Sequence, residues 1–339
     1  MRRAPISADV LCGLLAAALT LPAAAGPASE GVWSELTRPQ FVNSHESRKE
    51  KDAELLAAPT RLDQIGRILV PVTLNGKGPF RFVVDTGASH STISPRTAAA
   101  LGLEPAVDSP AIVHGITGTD QLPTVSIERL QAGDLVIENS RLPVVSSPML
   151  AGTDGILGAA ALTSERILVD FQHDRVVISR GHGAGAVENY MKIPAKRVRG
   201  GLIIVRALIS RVPVSAVIDT GSERTIGNLA LRDALHARNP ANPNSVETTV
   251  YGATTEVSRG EVQIAPVIAL GPARIAHLAV VFGAFHIFKV WNLEDTPALI
   301  LGMDALGTLQ ALTVDFGRGE LYVRSPDMDG VIIGNISSR

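Results

Sequence analysis

Two short stretches of the chain carry residue types suited to acid–base chemistry, VVDTG at residues 83–87 and VIDTG at residues 217–221. Each apolar run ends on an aspartate, whose ionised carboxylate is costly to bury unless it is hydrogen-bonded or paired. Two carboxyl groups side by side hold one proton between them over a wide acidic range. One then acts as a base toward water while the other donates to a carbonyl oxygen, which is acyl hydrolysis without a covalent intermediate.

The residues after each aspartate suit a pair of facing loops. Gly87 and Gly221 allow the backbone to turn tightly and to present N–H groups to the carboxylates. The hydroxyls of Thr86 and Thr220 have the reach to bridge the two loops. A single Asp-Thr-Gly is ordinarily just a turn, so the second copy carries the argument.

An internal repeat supplies the elements that would position these loops. When Asp85 is placed on Asp219, four further features follow in the same order in both halves. These are a helical pattern (94–103 and 228–239), a glycine turn (VHGITGT and VYGATTE), an Ile-Leu-Gly (156–158 and 300–302) and a VDF-containing hairpin (from 169 and from 314). The chain therefore contains two copies of one unit, and a pseudo-twofold packing of the copies would bring the aspartates together.

The sequence pattern predicts an all-β protein, because short runs of β-favouring residues alternate with frequent turn residues. We divide the sequence into six segments: signal peptide 1–25, polar N-terminal segment 26–62, first lobe 63–180, linker 181–200, second lobe 201–326 and C-terminal tail 327–339. The mixed charges of segment 26–62 favour a solvated helix face over the alternative, an inhibitory pro-segment with a lysine over a carboxylate site.

The first 25 residues have the order of parts of a secretory signal, with two arginines, an apolar stretch and a small-residue run ending at Ala25. We expect cleavage there or after Ala28, and an exported protein, periplasmic or secreted. The apolar stretch is shorter than the roughly 20 residues of a membrane span, so no stable membrane insertion is expected after cleavage. The only cysteine, Cys12, lies inside the signal.

Charge and motif content exclude several other classes. The 31 Lys and Arg residues nearly balance 33 Asp and Glu residues, which argues against nucleic-acid partners. The sequence has no HExxH motif, no Cys/His cluster and no G-x-S-x-G motif, so zinc and serine hydrolases lack their residues. Lone histidines such as His90 and His114 are interpreted as surface or structural residues and not as catalytic ones. Asp154, Asp170, Asp304 and Asp315 are interpreted as turn or capping carboxylates.

Together, the doubled hydrophobic-hydrophobic-Asp-Thr-Gly-[Ala/Ser] motif, the glycine turns and the Ile-Leu-Gly stretches resemble the aspartic peptidases, closest to the bacterial retropepsin-like branch. The resemblance covers residues from near Ile65 to near Arg324. It implies two pseudo-symmetric retropepsin-like β-barrel lobes with short helices and a cleft between them. It also implies extended peptide or protein substrates, no cofactor, no metal, and a monomer with an internal pseudo-twofold.

The resemblance also implies roles for individual residues. The catalytic pair would be Asp85 and Asp219, and their immediate support Thr86, Gly87, Ala88, Thr220, Gly221 and Ser222. The mobile flaps over the substrate would carry His114, Gly115, Ile116, Tyr251, Gly252 and Ala253. Packed behind the catalytic loops would be Ile156, Leu157, Gly158, Ile300, Leu301 and Gly302.

The two copies differ after the pentad, where Ala88 corresponds to Ser222. We expect the Ser222 hydroxyl to contact the outer carboxylate oxygen of Asp219, which would favour ionisation of Asp219 and leave the shared proton on Asp85. Two alternative functions stay open. One is a peptide-binding or scaffold module that has lost turnover. The other is glycoside hydrolysis, which needs two carboxyl groups about 5–9 Å apart.

Overall fold

The structure is a computed structural model that describes residues 9–11, 57–59, 61–62, 66–133, 135–150, 152–173, 175–180, 190–240, 245–325 and 332–333. Strands dominate these residues and the helices are short, so the predicted all-β class with two similar lobes is confirmed. None of the helices in the described part of the chain is long and apolar enough to cross a membrane.

The first half of the chain contributes twelve of the described strands. They are β1 (Asp9–Leu11), β2 (Ala57–Pro59), β3 (Arg61–Leu62), β4 (Ile68–Leu74), β5 (Lys77–Asp85), β6 (Thr92–Ile93), β7 (Ala106–His114), β8 (Thr119–Ala132), β9 (Leu135–Pro143), β10 (Gly155–Gly158), β11 (Glu165–Asp170) and β12 (Arg175–Arg180). The α-helix of this half is α1 (Pro95–Leu101), with 3₁₀ turns at Pro148–Leu150 and Ala159–Leu162.

The second half repeats this series with small additions. Its described strands are β13 (Met191–Arg197), β14 (Ile203–Ile209), β15 (Val212–Ile218), β16 (Ile226–Gly227), β17 (Val246–Tyr251), β18 (Val257–Ile264), β19 (Ile268–Leu270), β20 (Ala273–Ile275), β21 (Ala279–Phe282), β22 (Ala298–Leu301), β23 (Ala311–Asp315), β24 (Glu320–Arg324) and β25 (Ile332–Ile333). Its helices are α2 (Leu229–Arg238), α3 (His286–Val290) and α4 (Met303–Leu306), with a 3₁₀ turn at Arg199–Gly201.

Both helices that the sequence predicts are present, and each begins at a capping side chain. The Ser94 hydroxyl accepts a hydrogen bond from the backbone N–H of Thr97 at the start of α1. The Asn228 side chain accepts one from the backbone N–H of Leu231 at the start of α2. Ser and Asn are favoured at this position because their side-chain oxygens satisfy N–H groups that have no partner within the helix.

In each lobe the aspartate-bearing strand has a neighbour on both sides. In the first lobe the strand order is β1-β7-β8-β4-β5-β10-β6, with β3 on β4 and β9 on β8. The second lobe has the order β17-β18-β21-β16-β22-β15-β14, in which β18 pairs with β21, whereas β8 of the first lobe pairs with β4. Inward and outward residues alternate along β14, as expected for a strand with one face in the core.

A shared set of strands joins the lobes beneath the site. This platform has the order β13-β24-β23-β11-β12-β2, and the antiparallel pairing of β11 with β23 couples the first half to the second. Both central strands come from the repeated VDF hairpins. The pairing of equivalent strands from the two copies produces the pseudo-twofold arrangement, which holds the lobes in a fixed relation.

The predicted linker, residues 181–200, needs a correction in its second half. Residues 191–197 form β13, which pairs with β24 of the platform and with β14 of the second lobe. Ile193 is buried there. The glycines and charges around this segment obscure its alternation of buried and exposed positions, because only one side chain of the strand is fully inside. Residues 181–189 lie outside the described residues.

The ends of the chain are described only in part. Within the predicted signal peptide, β1 pairs in parallel with β7, and the rest of residues 1–25 lies outside the described residues. In the predicted polar segment 26–62, β2 pairs with β12 and β3 pairs with β4. In the predicted tail 327–339, only β25 is described, and it pairs with β20.

Candidate active site

The two aspartates lie at corresponding ends of strands β5 and β15, and both are fully buried. Two backbone N–H groups stabilise each carboxyl group. Those of Gly87 and Ala88 donate to Asp85 Oδ1 at 2.8 Å each. Those of Gly221 and Ser222 donate to Asp219 Oδ1 at 2.9 and 3.1 Å. The turn that follows each aspartate therefore supplies hydrogen-bond donors that offset the free-energy cost of burying the carboxyl group.

Beneath the aspartates, the two threonines lock the loops together with four hydrogen bonds. The Thr86 hydroxyl donates to the carbonyl of Ile218 at 2.7 Å and accepts from the N–H of Thr220 at 3.1 Å. The Thr220 hydroxyl donates to the carbonyl of Val84 at 2.7 Å and accepts from the N–H of Thr86 at 3.2 Å. Each hydroxyl thus uses its single proton and accepts one bond, and neither loop can move without the other.

The aspartates face each other across the pseudo-twofold axis. A Cβ added to Gly87 would overlap the carboxyl group of Asp219, and one added to Gly221 would overlap the carboxyl group of Asp85. Each carboxyl group therefore lies against the turn of the opposite lobe. Glycine is needed at these two positions because no side chain fits between the loops.

Burial raises the pKa of both aspartates, because the charged form is poorly solvated inside the protein. For Asp219, the next cause is the negative charge of Asp85, which raises the pKa further. For Asp85, hydrogen bonds to its charged form and the positive charge of Arg67 act in the opposite direction. Backbone N–H groups lower the pKa of Asp219 as they do that of Asp85, so the nearby positive charge of Arg67 is the feature that distinguishes Asp85.

Arg67 is a contributor that the sequence analysis missed. Its side chain is 1% exposed, and it precedes β4, the strand paired with β5. Continuing the register of that pairing by two residues places Arg67 opposite Asp85, on the same side of the sheet. The sequence could have revealed Arg67 through this hairpin register, because β4 and β5 are joined by the turn at Asn75 and Gly76 and the pairing can be counted outward from that turn.

The expected role of Ser222 is wrong. Its hydroxyl donates to the carbonyl of Arg224 at 2.6 Å, whereas the expectation was a bond to the outer oxygen of Asp219. A serine hydroxyl rotates freely among nearby acceptors, and the closest carbonyl of its own loop satisfies it here. The reason for expecting the shared proton on Asp85 is therefore removed, and the difference between the two acids comes from their charged surroundings.

The outer oxygen of each carboxyl group points away from these supports. Apart from the hydrogen bond between the two aspartates, Asp85 Oδ2 and Asp219 Oδ2 have no donor among the described residues. Two carboxyl groups in contact share one proton, because both cannot ionise cheaply side by side.

The two Ile-Leu-Gly segments lie directly beside the aspartate strands. The strand β10 pairs in parallel with β5, opposing Gly158 to Asp85, and β22 pairs in parallel with β15. The four aliphatic side chains are fully buried: Ile156, Leu157, Ile300 and Leu301. A Cβ on Gly158 would lie 2.5 Å from the backbone of His90, and one on Gly302 would lie 2.6 Å from the backbone of Arg224. These glycines let the loop after each aspartate fold back against the strand.

Two hairpins cover the aspartates, and each tip is inserted into the opposite lobe. The first flap is the β7–β8 hairpin, and the second is the β17–β18 hairpin. Ile116 of the first tip is fully buried in a cluster formed otherwise by second-lobe residues, including Val217 and Ile300. Ala253 of the second tip belongs to a cluster of first-lobe residues, including Ala88 and Ile156. Both flaps are therefore closed.

The tips also bond to each other. The Thr117 and Thr254 hydroxyls are 3.0 Å apart, and the N–H of Thr255 donates to Asp120 Oδ2 at 2.8 Å. A Cβ on Gly252 would meet Thr117 Oγ1 at 2.9 Å. The predicted flap residues thus lie at this junction, at or beside the tips: His114, Gly115, Ile116, Tyr251, Gly252 and Ala253.

Asp304 supports the loop after Asp219, and the first lobe has an alanine at the corresponding position. Its carboxylate accepts from the Thr225 N–H at 2.9 Å and from the Thr225 hydroxyl at 2.7 Å. Burial raises its pKa to about 6. The corresponding residue after the first Ile-Leu-Gly is Ala160. The contrast between GMDAL and GAAAL is visible in the sequence, but the partner of Asp304 is not.

The remaining aspartates of the sequence analysis are turn or loop carboxylates. Asp170 accepts from the N–H groups of Gln172 and His173, and Asp315 accepts from that of Arg318. Asp154 accepts from the N–H of Arg81 at 2.8 Å. Within the described ranges no group of three or more His, Cys, Asp and Glu side chains is arranged to hold a metal ion.

The chain matches a model of a known protein family. A family model described as "Aspartyl protease" matches the chain twice, at residues 70–161 and 205–305. The two matched regions contain the two aspartates, the two flaps and the two Ile-Leu-Gly segments. A search of curated proteins found no match.

Proposed function

The chain belongs to the aspartyl protease family, and on that premise we propose that it is an endopeptidase in which Asp85 and Asp219 activate a water molecule. The observation that carries the proposal is the pair of buried carboxyl groups facing each other across threonine-locked loops. Apart from each other, their outer oxygens have no donor among the described residues. This is the arrangement that general acid–base hydrolysis of an amide requires.

The surroundings suggest how the two acids divide the work. Asp85, beside the positive charge of Arg67, is the base that removes a proton from water as the water oxygen attacks the carbonyl carbon. Asp219, whose pKa is raised by burial and by the charge of Asp85, donates its proton to the carbonyl oxygen. A neutral tetrahedral diol results. Its collapse returns one hydroxyl proton to Asp219, while Asp85 transfers its proton to the departing amine nitrogen, and the C–N bond breaks.

The substrate class follows from the hairpins over the site. An extended peptide offers alternating N–H and carbonyl groups that can pair with strand edges, as in β-strand addition. Such a chain must pass between the flaps and the aspartates, so the flaps must separate before it binds. We therefore propose polypeptide substrates bound extended. We also propose export from the cytoplasm, which is supported by the signal-type order of residues 1–25.

The test is cleavage of a denatured protein mixture from pH 3 to pH 7, with and without a statine-type inhibitor. Replacing Asp85 or Asp219 by Asn removes the ability to exchange a proton, and each change is expected to lower the rate by about 10²–10⁴-fold. The matched control is Asp315→Asn, which neutralises another buried carboxylate in the platform strand β23. This control is expected to keep cleavage close to the parent rate.

The outcomes separate the peptidase from its alternative. Loss of cleavage in both aspartate variants but not in the control supports the endopeptidase. Binding of peptides without cleavage by the parent protein would show a peptide-binding module on the same fold. Cleavage that persists unchanged in either Asp85→Asn or Asp219→Asn would refute the assigned roles.

A further inference from the structure

Two histidines from opposite halves of the chain meet at the first flap. His114 ends β7, and His286 is the first residue of α3 in the second lobe. Their rings are stacked with centroids 5.7 Å apart and planes inclined by 28°. His286 Nε2 lies 3.5 Å from His114 Nδ1. The contact joins the flap of one lobe to a helix of the other.

A threonine hydroxyl bridges the two rings. Thr119 Oγ1 lies 2.9 Å from His114 Nδ1 and 2.8 Å from His286 Nε2. The hydroxyl has one proton to donate and two lone pairs that accept, so while one imidazole is neutral Thr119 can donate to that ring and accept from the other. With both rings protonated, the oxygen can only accept from them and its own proton has no ring acceptor. Protonation of both would turn both nitrogens into donors and place two positive charges in stacked rings, where like charges repel.

The surrounding charges do not offset this repulsion fully. Burial lowers the pKa of His286, and His114 and Lys289 lower it further, while Glu256 of the second flap acts in the opposite direction. Asp120, on the first flap, is occupied by hydrogen bonds from Thr255. Because its pKa is lowered in the closed state, His286 binds a proton more readily when it is hydrated. Closure is therefore fully supported above the ordinary pKa near 6.5 and is weakened as the pH falls below it.

The same helix also holds the flap tip. The N–H of Ile287, beside His286, donates to the carbonyl of Ile116 at 3.4 Å. The Ile116 side chain is fully buried in the second lobe. Separation of α3 from the flap would withdraw Ile116 and uncover the aspartates, which are fully buried while the flaps are closed.

We propose that His114, Thr119 and His286 form a proton-operated latch that holds the flaps shut at neutral pH and releases them when both imidazoles are protonated. The proposal rests on the proposed function in that the covered site is the Asp85–Asp219 pair. Acidification then serves two purposes at once. It opens the site, and it places a proton on the carboxyl pair.

Hydrogen exchange tests the latch without relying on turnover. The amides of Ile287 and Thr255 bond across the flap junction, so their exchange reports its opening. Exchange is measured by mass spectrometry at pH 7.5 and pH 5.0 and corrected for the intrinsic pH dependence. In the parent protein the corrected rate should rise as the pH falls, by up to about tenfold per pH unit for each proton taken up.

Variants that imitate the ring nitrogens isolate the cause. In His114→Asn and His286→Gln the amide groups still donate and accept but do not titrate in this range. Each single variant should reduce the pH dependence, and the double variant should abolish it. His236→Gln is the matched control, because His236 Nε2 bonds to Gln263 Oε1 on α2 and β18, outside the flap junction. It should behave as the parent protein.

Two results would overturn the latch: equal corrected exchange at both pH values in the parent protein, or undiminished pH dependence in the double variant. If the double variant does not fold, the single variants decide, because each must weaken the dependence. If the proposed function fails, no cleavage is observed at any pH. The hydrogen-exchange measurement still tests the latch in that case, because it does not depend on cleavage.

Discussion

Asp304 gives a prediction whose size can be worked out from the structure. Its carboxylate holds the loop after the second aspartate through two hydrogen bonds from Thr225, a residue that is fully buried. In Asp304→Asn the amide retains an acceptor for the Thr225 N–H and a donor for the hydroxyl oxygen. The substitution therefore removes the titration of Asp304 while keeping the loop attached.

The sign follows from the raised pKa. The carboxyl group has a pKa of about 6 in the folded chain against an ordinary value of 3.8, so the folded state binds the proton more tightly. Its contribution to stability is fully present below about pH 4 and is lost as the pH rises through 6. The full shift corresponds to about 3 kcal/mol. Because Asp304 is partly exposed, we expect solvent screening to reduce this to about 1–2 kcal/mol.

Urea unfolding at pH 4, 5, 6 and 7 measures the effect. The Asp85–Asp219 pair also titrates with raised pKa values, but it is common to both proteins and cancels in the difference. The free energy of unfolding of Asp304→Asn should gain about 1–2 kcal/mol on the parent between pH 4 and pH 7. Asp108→Asn, at an exposed position, controls for the change in net charge. Parallel curves for Asp304→Asn and the parent would refute the reasoning.

Two further substitutions test the geometry between the lobes. In Thr86→Val, a buried N–H and a buried carbonyl of the second loop lose their hydrogen-bond partner. The free energy of unfolding measured in urea should fall by about 2–5 kcal/mol. A fall of less than about 0.5 kcal/mol would contradict the interlock. In Gly221→Ala the new methyl group overlaps the carboxyl group of Asp85, and peptide cleavage should be lost. The control Gly317→Ala, where the nearest atom is 3.5 Å away, should cleave normally, and normal cleavage by both would count against the facing carboxyl groups.

Much of the molecule could be predicted from local patterns. The repeated pentads indicated the two lobes, and the helical patterns at 94–103 and 228–239 indicated the two longer helices. The two Ile-Leu-Gly segments were predicted to pack behind the aspartate loops, and their strands lie beside β5 and β15. These features depend on hydrogen bonds and residue periodicities among residues that are close in the sequence. Both copies of the repeat show them.

Other features depend on where distant segments come to rest. The Ser222 hydroxyl has several acceptors within reach, and the final shape of its loop selects the carbonyl of Arg224. The insertion of Ile116 into the opposite lobe requires both barrels and the platform between them. His286 has no counterpart that the repeat reveals, and only the packing of α3 against the flap gives it a partner.

The sequence by itself determined that two acids lie on equivalent turns of a duplicated all-β chain, because the motif, its flanks and its spacing are all written in order along the chain. The tertiary structure alone decided how these acids differ and how they are covered. Those properties arise from charges and side chains such as Arg67 and His286, which approach the site through space. The positions of these side chains follow from the packing of whole lobes. No local pattern in the sequence indicates that packing.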